Sequence, residues 1–416
     1  MKRLVVLLFC LQTLFAQKVL IPMDEAQNDH LKAYGMVYFI LNYNIQVEWL
    51  LNYRGGSFLV DEYAVFVREC NIRGVSIEQL NQVELGNVFS TIDQNNMDII
   101  ELGKAPSIAV YAPPTAQPWD DAVTLALTYA EIPYQTIWDE QIFLGALDHY
   151  DWLHLHHEDF TGQYGKFYRD YRNTEWYQNQ KLIFESLAEK LDYVSVHEEK
   201  KAVARSIKSF IYNGGSLFAM CSATDTYDLA LALGNVDAVR SVYDNTPADR
   251  DINSKLDFTQ CLAFENFRYY SDPMVYEHSD IDFPPSNVPT LRNAADDYFS
   301  LFEFSAKYDP IPTMLTQNHF GVIKGFMGQT TGFRRDLVKK HIVIMGDDPG
   351  GDQVKYLHGN HGAGNFTFLG GHDPEDYQHF IGDPPTDLSK HKNSPGYRLI
   401  LNNILLPAAK QSQRKT

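Results

Sequence analysis

The chain has 416 residues, of which 44% are hydrophobic and 13% aromatic, so it can bury cores for two or three domains. Its formal net charge is −18, from 53 acidic and 35 basic residues. This balance excludes nucleic acid as an expected partner, because nucleic-acid binding depends on Lys and Arg neutralising phosphates.

The N-terminal residues have the pattern of a secretory signal peptide. Lys2 and Arg3 precede an apolar run at 4–15 that is too short to anchor the chain in a bilayer, and Ala16 follows it. We place cleavage after Ala16, so residues 1–16 are the signal. The mature protein is then secreted or periplasmic, without a transmembrane segment.

Cleavage removes Cys10 and leaves Cys70, Cys221 and Cys261. An odd number of cysteines in an oxidising compartment leaves at least one thiol outside any intramolecular disulfide. A Cys70–Cys261 bond would leave Cys221 as that thiol, and three buried thiols are the equal alternative.

Strand and helix patterns alternate along the chain. KVLIPMD, a helix capped by Asn28 or Asp29, and QVEWLL form a first βαβ unit in an N-terminal region at 17–104. SIAVYAPP, a helix opened by Asp120, and YQTIWDEQI form a second unit. It begins an α/β domain at 105–410, with an irregular insertion around 246–327. A largely parallel sheet is the expected architecture.

Three predicted strands end in residues with useful chemistry. HLHHED (154–159) ends one, Cys221 follows the strand SLFAM, and His372 follows a strand and a Gly-Gly turn. In a parallel sheet, consecutive strand ends converge on one edge, where ligands bind. We therefore expect these groups to share a site.

Cys221 occupies a predicted tight turn between a buried strand and a helix, with small residues on both sides. A thiol near an imidazole that a carboxylate orients is the minimum for nucleophilic catalysis. The sequence offers this set, with Cys221 as nucleophile and His372 as base. Either Glu375 or Asp373 is the orienting group. The structural alternatives are a small buried hydrophobe at Cys221 and a helix cap at 373–375.

The histidines at 154–159 have two interpretations. His154 and His156 share one face of a strand, and with His157, Glu158 or Asp159 they offer ligands suited to Zn²⁺. Ligand directions diverge in the turn, so we favour a polar lining of the cleft that binds a sugar or peptide. On the sequence alone we expect no metal and no cofactor.

Two stretches resemble a known family. GNHGAGNFTFLGGHDPEDYQHF, followed by NNILLPAA, resembles the C-terminal signature of ThuA-like proteins. GGSLFAMCSAT is similar to the nucleophile turn of class I glutamine amidotransferases. The resemblance implies a flavodoxin-like parallel sheet, with Cys221 in the nucleophile place, His372 in the base place and Glu375 in the orienting place. Ala219 and Ala223 stand where that turn has Gly, and Glu375 lies three residues after His372 instead of two.

The whole chain, from KVLIPMDEAQNDHLKAYG through NYRGGSF, also resembles exported Bacteroidota proteins labelled asparagine synthetase B. That synthetase needs a catalytic cysteine at the start of the mature chain and a pyrophosphate-binding loop. The sequence has neither feature, so the resemblance does not imply the asparagine synthetase reaction.

The leading hypothesis is an exported, thiol-dependent hydrolase of an amide or related acyl bond, acting on a small-molecule, glycan or peptide ligand. The first alternative is a non-catalytic binding protein in which Trp119, Trp152 and Trp176 hold a carbohydrate or cell-wall fragment. The weaker alternative is a metal-dependent hydrolase centred on residues 154–159.

Overall fold

The computed structural model describes residues 18–114, 121–282, 298–309, 320–324, 332–348, 350–376 and 384–410, so the expected signal peptide lies outside it. The described helices are α1 (His30–Asn42), α2 (Ala64–Arg73), α3 (Gln82–Gln94), α4 (Ala122–Ala130), α5 (Asp139–Phe143), α6 (Tyr168–Tyr171), α7 (Glu175–Lys190), α8 (Val196–Tyr212), α9 (Ser222–Leu233), α10 (Ser241–Asp244) and α11 (Pro395–Leu405). The described strands are β1 (Lys18–Ile21), β2 (Val47–Leu51), β3 (Ser57–Asp61), β4 (Glu78–Leu80), β5 (Asp98–Leu102), β6 (Ile108–Tyr111), β7 (Gln135–Ile137), β8 (Trp152–Leu155), β9 (Ser216–Met220), β10 (Tyr298–Leu301), β11 (Val322–Lys324), β12 (Phe333–Arg334), β13 (Val343–Asp347), β14 (Gln353–His361) and β15 (Gly364–Leu369).

The N-terminal sheet has the order β4-β1-β3-β2-β5, and all its neighbouring strands are antiparallel. The predicted strand, helix and strand occur in the expected sequence. However, β3 lies between β1 and β2, so these two strands run in the same direction without being neighbours. The N-terminal unit is therefore a split βαβ arrangement and not a directly paired one.

The larger sheet has the order β11-β10-β13-β14-β15-β9-β8-β6-β7, with β12 paired to β14. Strands β7, β6, β8, β9 and β15 are mutually parallel, whereas β14, β13, β10 and β11 continue the sheet in antiparallel pairs. The second predicted βαβ unit is confirmed as β6, α4 and β7. The α/β class is confirmed in the form of a mixed architecture with parallel and antiparallel strands.

Helices α1, α4 and α11 form a layer between the two sheets. Their apolar faces share one hydrophobic cluster with residues of both sheets, including Trp49 and Met220. Gly35 allows α1 to approach α4 closely, since a Cβ there would lie 1.7 Å from the carbonyl oxygen of Ala130. Helices α8 and α9 cover the opposite face of the larger sheet, and α3 covers the outer face of the smaller one.

The described part of the segment predicted as an irregular insertion contains little regular secondary structure. Residues 246–282 form short 3₁₀ turns and isolated bridges, such as that between Tyr269 and Ser279. Strands β10 and β11 extend the edge of the larger sheet. Among the described residues, no helix combines the length and the apolar character needed to cross a bilayer.

A buried histidine in β14 gives the fold a testable acid sensitivity. Burial lowers the pKa of His358 to about 4, while its Nδ1 lies 2.9 Å from the Thr367 hydroxyl. The unfolded chain takes up this proton near pH 6.5, so the free energy of unfolding should fall between that pH and about 4. We expect this pH-dependent fall in the free energy of unfolding to be roughly 3 kcal/mol smaller in His358→Gln than in wild type.

Urea unfolding of wild type and variant from pH 7 to pH 4 measures the effect. His341→Gln, at an exposed position, is the matched control and should keep the wild-type pH dependence. Parallel curves for wild type and His358→Gln would contradict the assignment.

Candidate functional site

The ends of β8, β9 and β15 meet at a strained turn. Cys221, between β9 and α9, has φ 49° and ψ −139°, a conformation that costs free energy for a residue with a Cβ. Its backbone N–H donates to the Gly371 carbonyl oxygen (3.0 Å), and the Ala223 N–H donates to that of His156 (3.1 Å). These bonds bring the three predicted strand ends together, as the sequence analysis expected.

The thiol of Cys221 is held in its neutral form. The residue is 3% exposed, and burial raises the pKa of the thiol to about 12, with a further increase from Asp225 and Asp282. The Ser222 N–H opposes this rise only in part. A nucleophilic role would therefore require a base to remove the proton during the reaction.

The other two described cysteines support the alternative of buried thiols. Cys70 packs in the cluster between the two sheets, and Cys261 packs on the opposite face of the larger sheet. Both are thiols, so the disulfide considered between them is not formed.

His156, His157 and His372 form a compact group, called here the histidine cluster. The ring centroids of His156 and His157 are 3.9 Å apart, and His372 lies 4.8 Å from the first and 4.6 Å from the second. One ligand atom from each side chain lies within 4.8 Å of the other two. The sequence predicted each position, and the structure brings all three rings into contact.

A carboxylate that the sequence analysis did not select completes this group. Asp121 caps α4 by accepting from the backbone N–H groups of Val123 (2.7 Å) and Thr124 (3.0 Å). Its Oδ2 lies 3.2 Å from His154 Nε2, and its Oδ1 lies 3.3 Å from His156 Nδ1. Asp121 thus lies within ion-pairing distance of two imidazoles at once.

The charge of Asp121 is favoured by its neighbours. Burial alone would raise the pKa of its carboxyl group, but the imidazoles of His154 and His156 hold that pKa well below the usual value. The available sequence signal was an Asp after a parallel strand, at the start of the next helix. The sequence pattern predicts that the adjacent Asp120 opens this helix, whereas the structure has Asp121 as its N-cap.

The two carboxylates proposed to orient His372 have other contacts. Glu375 Oε2 lies 3.3 Å from His391 Nδ1. Asp373 is buried, and its Oδ2 accepts from the hydroxyls of Tyr397 (2.8 Å) and Thr386 (3.0 Å). These contacts give Asp373 a structural role in holding the chain after β15 against α11.

Glu158 connects the histidine cluster to a small cleft. Its Oε2 accepts from the His156 backbone N–H (2.9 Å), and burial raises the pKa of its carboxyl group to about 7. The cleft has aromatic, acidic and amide side chains in its wall. Its lining comprises Pro113, His157, Glu158, Asp159, Gly162, Tyr164, Gly165, Phe167, Gln180, Phe184, Val196 and Lys200.

The His156 ring is buried without hydrogen bonds among the described residues. It is 1% exposed, and neither Nδ1 nor Nε2 has a hydrogen-bond partner there, although Nδ1 lies 3.3 Å from Asp121 Oδ1. Leaving such a polar atom unsatisfied costs about 1–3 kcal/mol. A ligand that accepts the Nε2 lone pair would recover this cost.

The tryptophans considered for carbohydrate binding occupy different places. Trp152 is 1% exposed and stacks on Phe218 in the core, so it offers no face to a sugar. Trp176 packs its ring against Phe167 and Tyr171. Trp119 lies outside the described residues.

No protein-family model matches this chain, and no curated protein does. Among solved structures, it is similar to the cytoplasmic protein STM3548 from Salmonella typhimurium, at 9% identity and TM-score 0.34, covering 74% of this chain and 100% of that one. The cytoplasmic protein STM1381 from Salmonella typhimurium LT2 has 10% identity and TM-score 0.32, with 73% and 99% covered.

A third similarity is to Gan42B, a GH42 β-galactosidase from G. stearothermophilus, at 11% identity and TM-score 0.29. It covers 65% of this chain, which spans 28% of the galactosidase. Similarities this weak say nothing about activity. The resemblance to ThuA-like proteins therefore stays a prediction.

Proposed function

We propose that this chain is a metal-dependent hydrolase whose ion is bound by His156, His157 and His372. The buried, unpartnered Nε2 of His156 carries the proposal. Imidazole is a preferred ligand of Zn²⁺, and three protein ligands leave a coordination position open for water. The stacked rings of His156 and His157, inclined by 13°, require one ring to rotate for both to bind one ion.

The surrounding residues fit the hydrolysis of an ester or amide bond. A bound ion makes water a stronger nucleophile and polarises a carbonyl oxygen. Glu158, in the wall of the adjacent cleft, would be the carboxylate available to accept a proton from water. Asp121 lies 3.3 Å from the other nitrogen of the His156 ring, and a carboxylate at that nitrogen raises the basicity of a metal-binding imidazole.

The fold is compatible with a site at this edge. Numbered along the chain, β6, β7, β8, β9 and β15 are ordered 2-1-3-4-5, the strand order of flavodoxin-like sheets. This order supports the proposed flavodoxin-like class and its resemblance to class I glutamine amidotransferases. Export is also part of the proposal and rests on the N-terminal sequence pattern.

A thiol-dependent amide hydrolase is the second candidate, with Cys221 as nucleophile, His372 as base and Glu375 as orienting group. The strained backbone of Cys221 favours it, since a nucleophile on such a turn projects from the sheet edge. The two candidates assign different roles to His372, a metal ligand in the first and a general base in the second.

One experiment distinguishes the two functions. The purified protein is assayed on chromogenic esters and anilides before chelation, after chelation with dipicolinate, and after adding Zn²⁺ back. We expect chelation and His372→Ala each to lower turnover by on the order of 100-fold or more, and Zn²⁺ to restore only the chelated wild type.

Cys221→Ala and His341→Ala should keep their turnover. Loss of activity in Cys221→Ala together with resistance to chelation would replace the metal-dependent proposal with the thiol-dependent one. A chain that neither binds Zn²⁺ nor loses turnover on chelation would overturn the metal-dependent function.

A further inference from the structure

A second group of possible ligands lies at the start of α8, apart from the histidine cluster. The His197 Nε2 atom is 3.5 Å from Asp237 Oδ1, in the segment after α9, and 4.0 Å from Asp244 Oδ2, at the end of α10. One ligand atom from each of the three residues lies within 4.8 Å of the others. Three separate segments therefore meet at this point.

Two polar atoms of this group are buried without hydrogen bonds. Among the described residues, Asp244 Oδ2 has no hydrogen-bond partner and faces His197 Nε2 across 4.0 Å. The His197 side chain is only 8% exposed, and its other nitrogen, Nδ1, also lacks a partner there but is not the atom that faces the carboxylates. Burying such atoms is unfavourable unless something binds them.

The carboxylates also lack a compensating side-chain cation. In the described part of the chain, neither Asp237 nor Asp244 forms an ion pair with Lys or Arg. The ammonium group of the nearby Lys201 instead donates to the Val236 carbonyl oxygen (3.0 Å). The carboxylates of Asp237 and Asp244 accept from the backbone N–H groups of Val239 (3.1 Å) and Thr246 (2.9 Å) and share the imidazole of His197. A bound cation would stabilise this pair of negative charges.

We propose that His197, Asp237 and Asp244 bind a first-row divalent cation of the Zn²⁺ type. One imidazole nitrogen and two carboxylate oxygens suit such an ion, whereas Ca²⁺ prefers oxygen ligands throughout. Ligands around tetrahedral zinc are about 3.3 Å apart, so small side-chain movements close the observed separations. This proposal is independent of the proposed function.

The ion would support the wall of the cleft. Gly162, in the loop that follows the histidine cluster, packs directly on α8, since a Cβ there would lie 2.6 Å from His197 Cβ. Gly162 and Val196 both line the cleft. Joining the start of α8 to the segments that carry Asp237 and Asp244 therefore stabilises this wall.

The test titrates Zn²⁺ alone into a full-length chain that carries His156→Ala and His372→Ala, which disable the first cluster. We expect about one Zn²⁺ to bind per chain and the midpoint of thermal unfolding to rise with Zn²⁺. Adding Asp244→Asn should weaken binding at least about tenfold. Glu198→Gln removes the same charge at an exposed neighbouring position and should leave binding unchanged.

Circular dichroism checks that each variant is folded. If Asp244→Asn does not fold, His197→Gln is used in its place. Equal Zn²⁺ affinity in the Asp244→Asn and Glu198→Gln chains would overturn the proposal. So would a background chain that binds no Zn²⁺. Because the first cluster is disabled throughout, neither outcome depends on the proposed function.

Discussion

Replacing His156 with alanine is expected to reduce the Zn²⁺ affinity of the histidine cluster by at least about 100-fold, and Asp121→Asn by about 10- to 100-fold. His156 supplies a buried nitrogen that has no competing hydrogen bond within the described ranges. Asp121 acts through the other nitrogen of the same ring, at 3.3 Å. Asparagine keeps the size of that side chain but loses the charge that supports the imidazole.

Competition against a chromophoric chelator measures the affinity, in a chain carrying His197→Gln so that only this cluster is titrated. His341→Ala removes an exposed imidazole and should behave like the parent chain. If His156→Ala and His341→Ala bound Zn²⁺ equally, the histidine cluster would not be a metal site. A larger loss of Zn²⁺ affinity in Asp121→Asn than in His156→Ala would contradict the assignment of His156 as a ligand and of Asp121 as the residue that supports it.

The sequence predicted which residues lie at this edge of the sheet better than it predicted the side-chain contacts they make. His156, Cys221 and His372 each follow a strand whose apolar run could be recognised, and parallel topology then brings their positions together. Side-chain direction after a turn has no such periodicity. Spacing alone therefore paired Glu375 with His372, whereas the chain after β15 directs the Glu375 carboxylate to His391.

Asp121 shows a second limit of the sequence. Its role depends on α4 starting beside β8, a long-range contact between units that are separate in the chain. Its local pattern, an acid at a helix start, is already explained by capping. Nothing in that pattern distinguishes a residue that only caps from one that also lies within ion-pairing distance of two imidazoles.

The N-terminal sheet departs from the expected pairing for a related reason. β1, α1 and β2 carry the pattern of a βαβ unit, but strand patterns do not state which strands are neighbours. β3 pairs with both β1 and β2. A single intervening strand therefore converted the expected parallel pairing into two antiparallel ones.

Removing the ammonium group of Lys200 should be among the most destabilising single changes in this chain. Lys200 and Asp139 form a direct ion pair, with side chains 2% and 1% exposed, and Lys200 Nζ also donates to the Tyr111 hydroxyl (2.9 Å). Burial raises the pKa of the adjacent Glu199 to about 8, which favours its neutral form. Asp139 is the carboxylate in direct contact with the Lys200 ammonium group.

Lys200→Met leaves the Asp139 carboxylate charged and without its cation. We expect the free energy of unfolding to fall by about 3–5 kcal/mol, because an uncompensated buried charge costs far more than the pair itself. The double variant Asp139→Leu/Lys200→Met removes both charges and should recover most of the loss. Urea unfolding at neutral pH measures all three chains.

The exposed pair Lys190 and Glu140 is the matched control, since its N···O distance is 2.8 Å but its side chains are 60% and 37% exposed. Lys190→Met should cost no more than about 1 kcal/mol, because solvent screens both charges. Equal losses in Lys200→Met and Lys190→Met would show that water reaches the Lys200 pair. A double variant less stable than Lys200→Met would instead assign the loss to packing, since Lys200 also contacts the rings of Trp138 and Phe184.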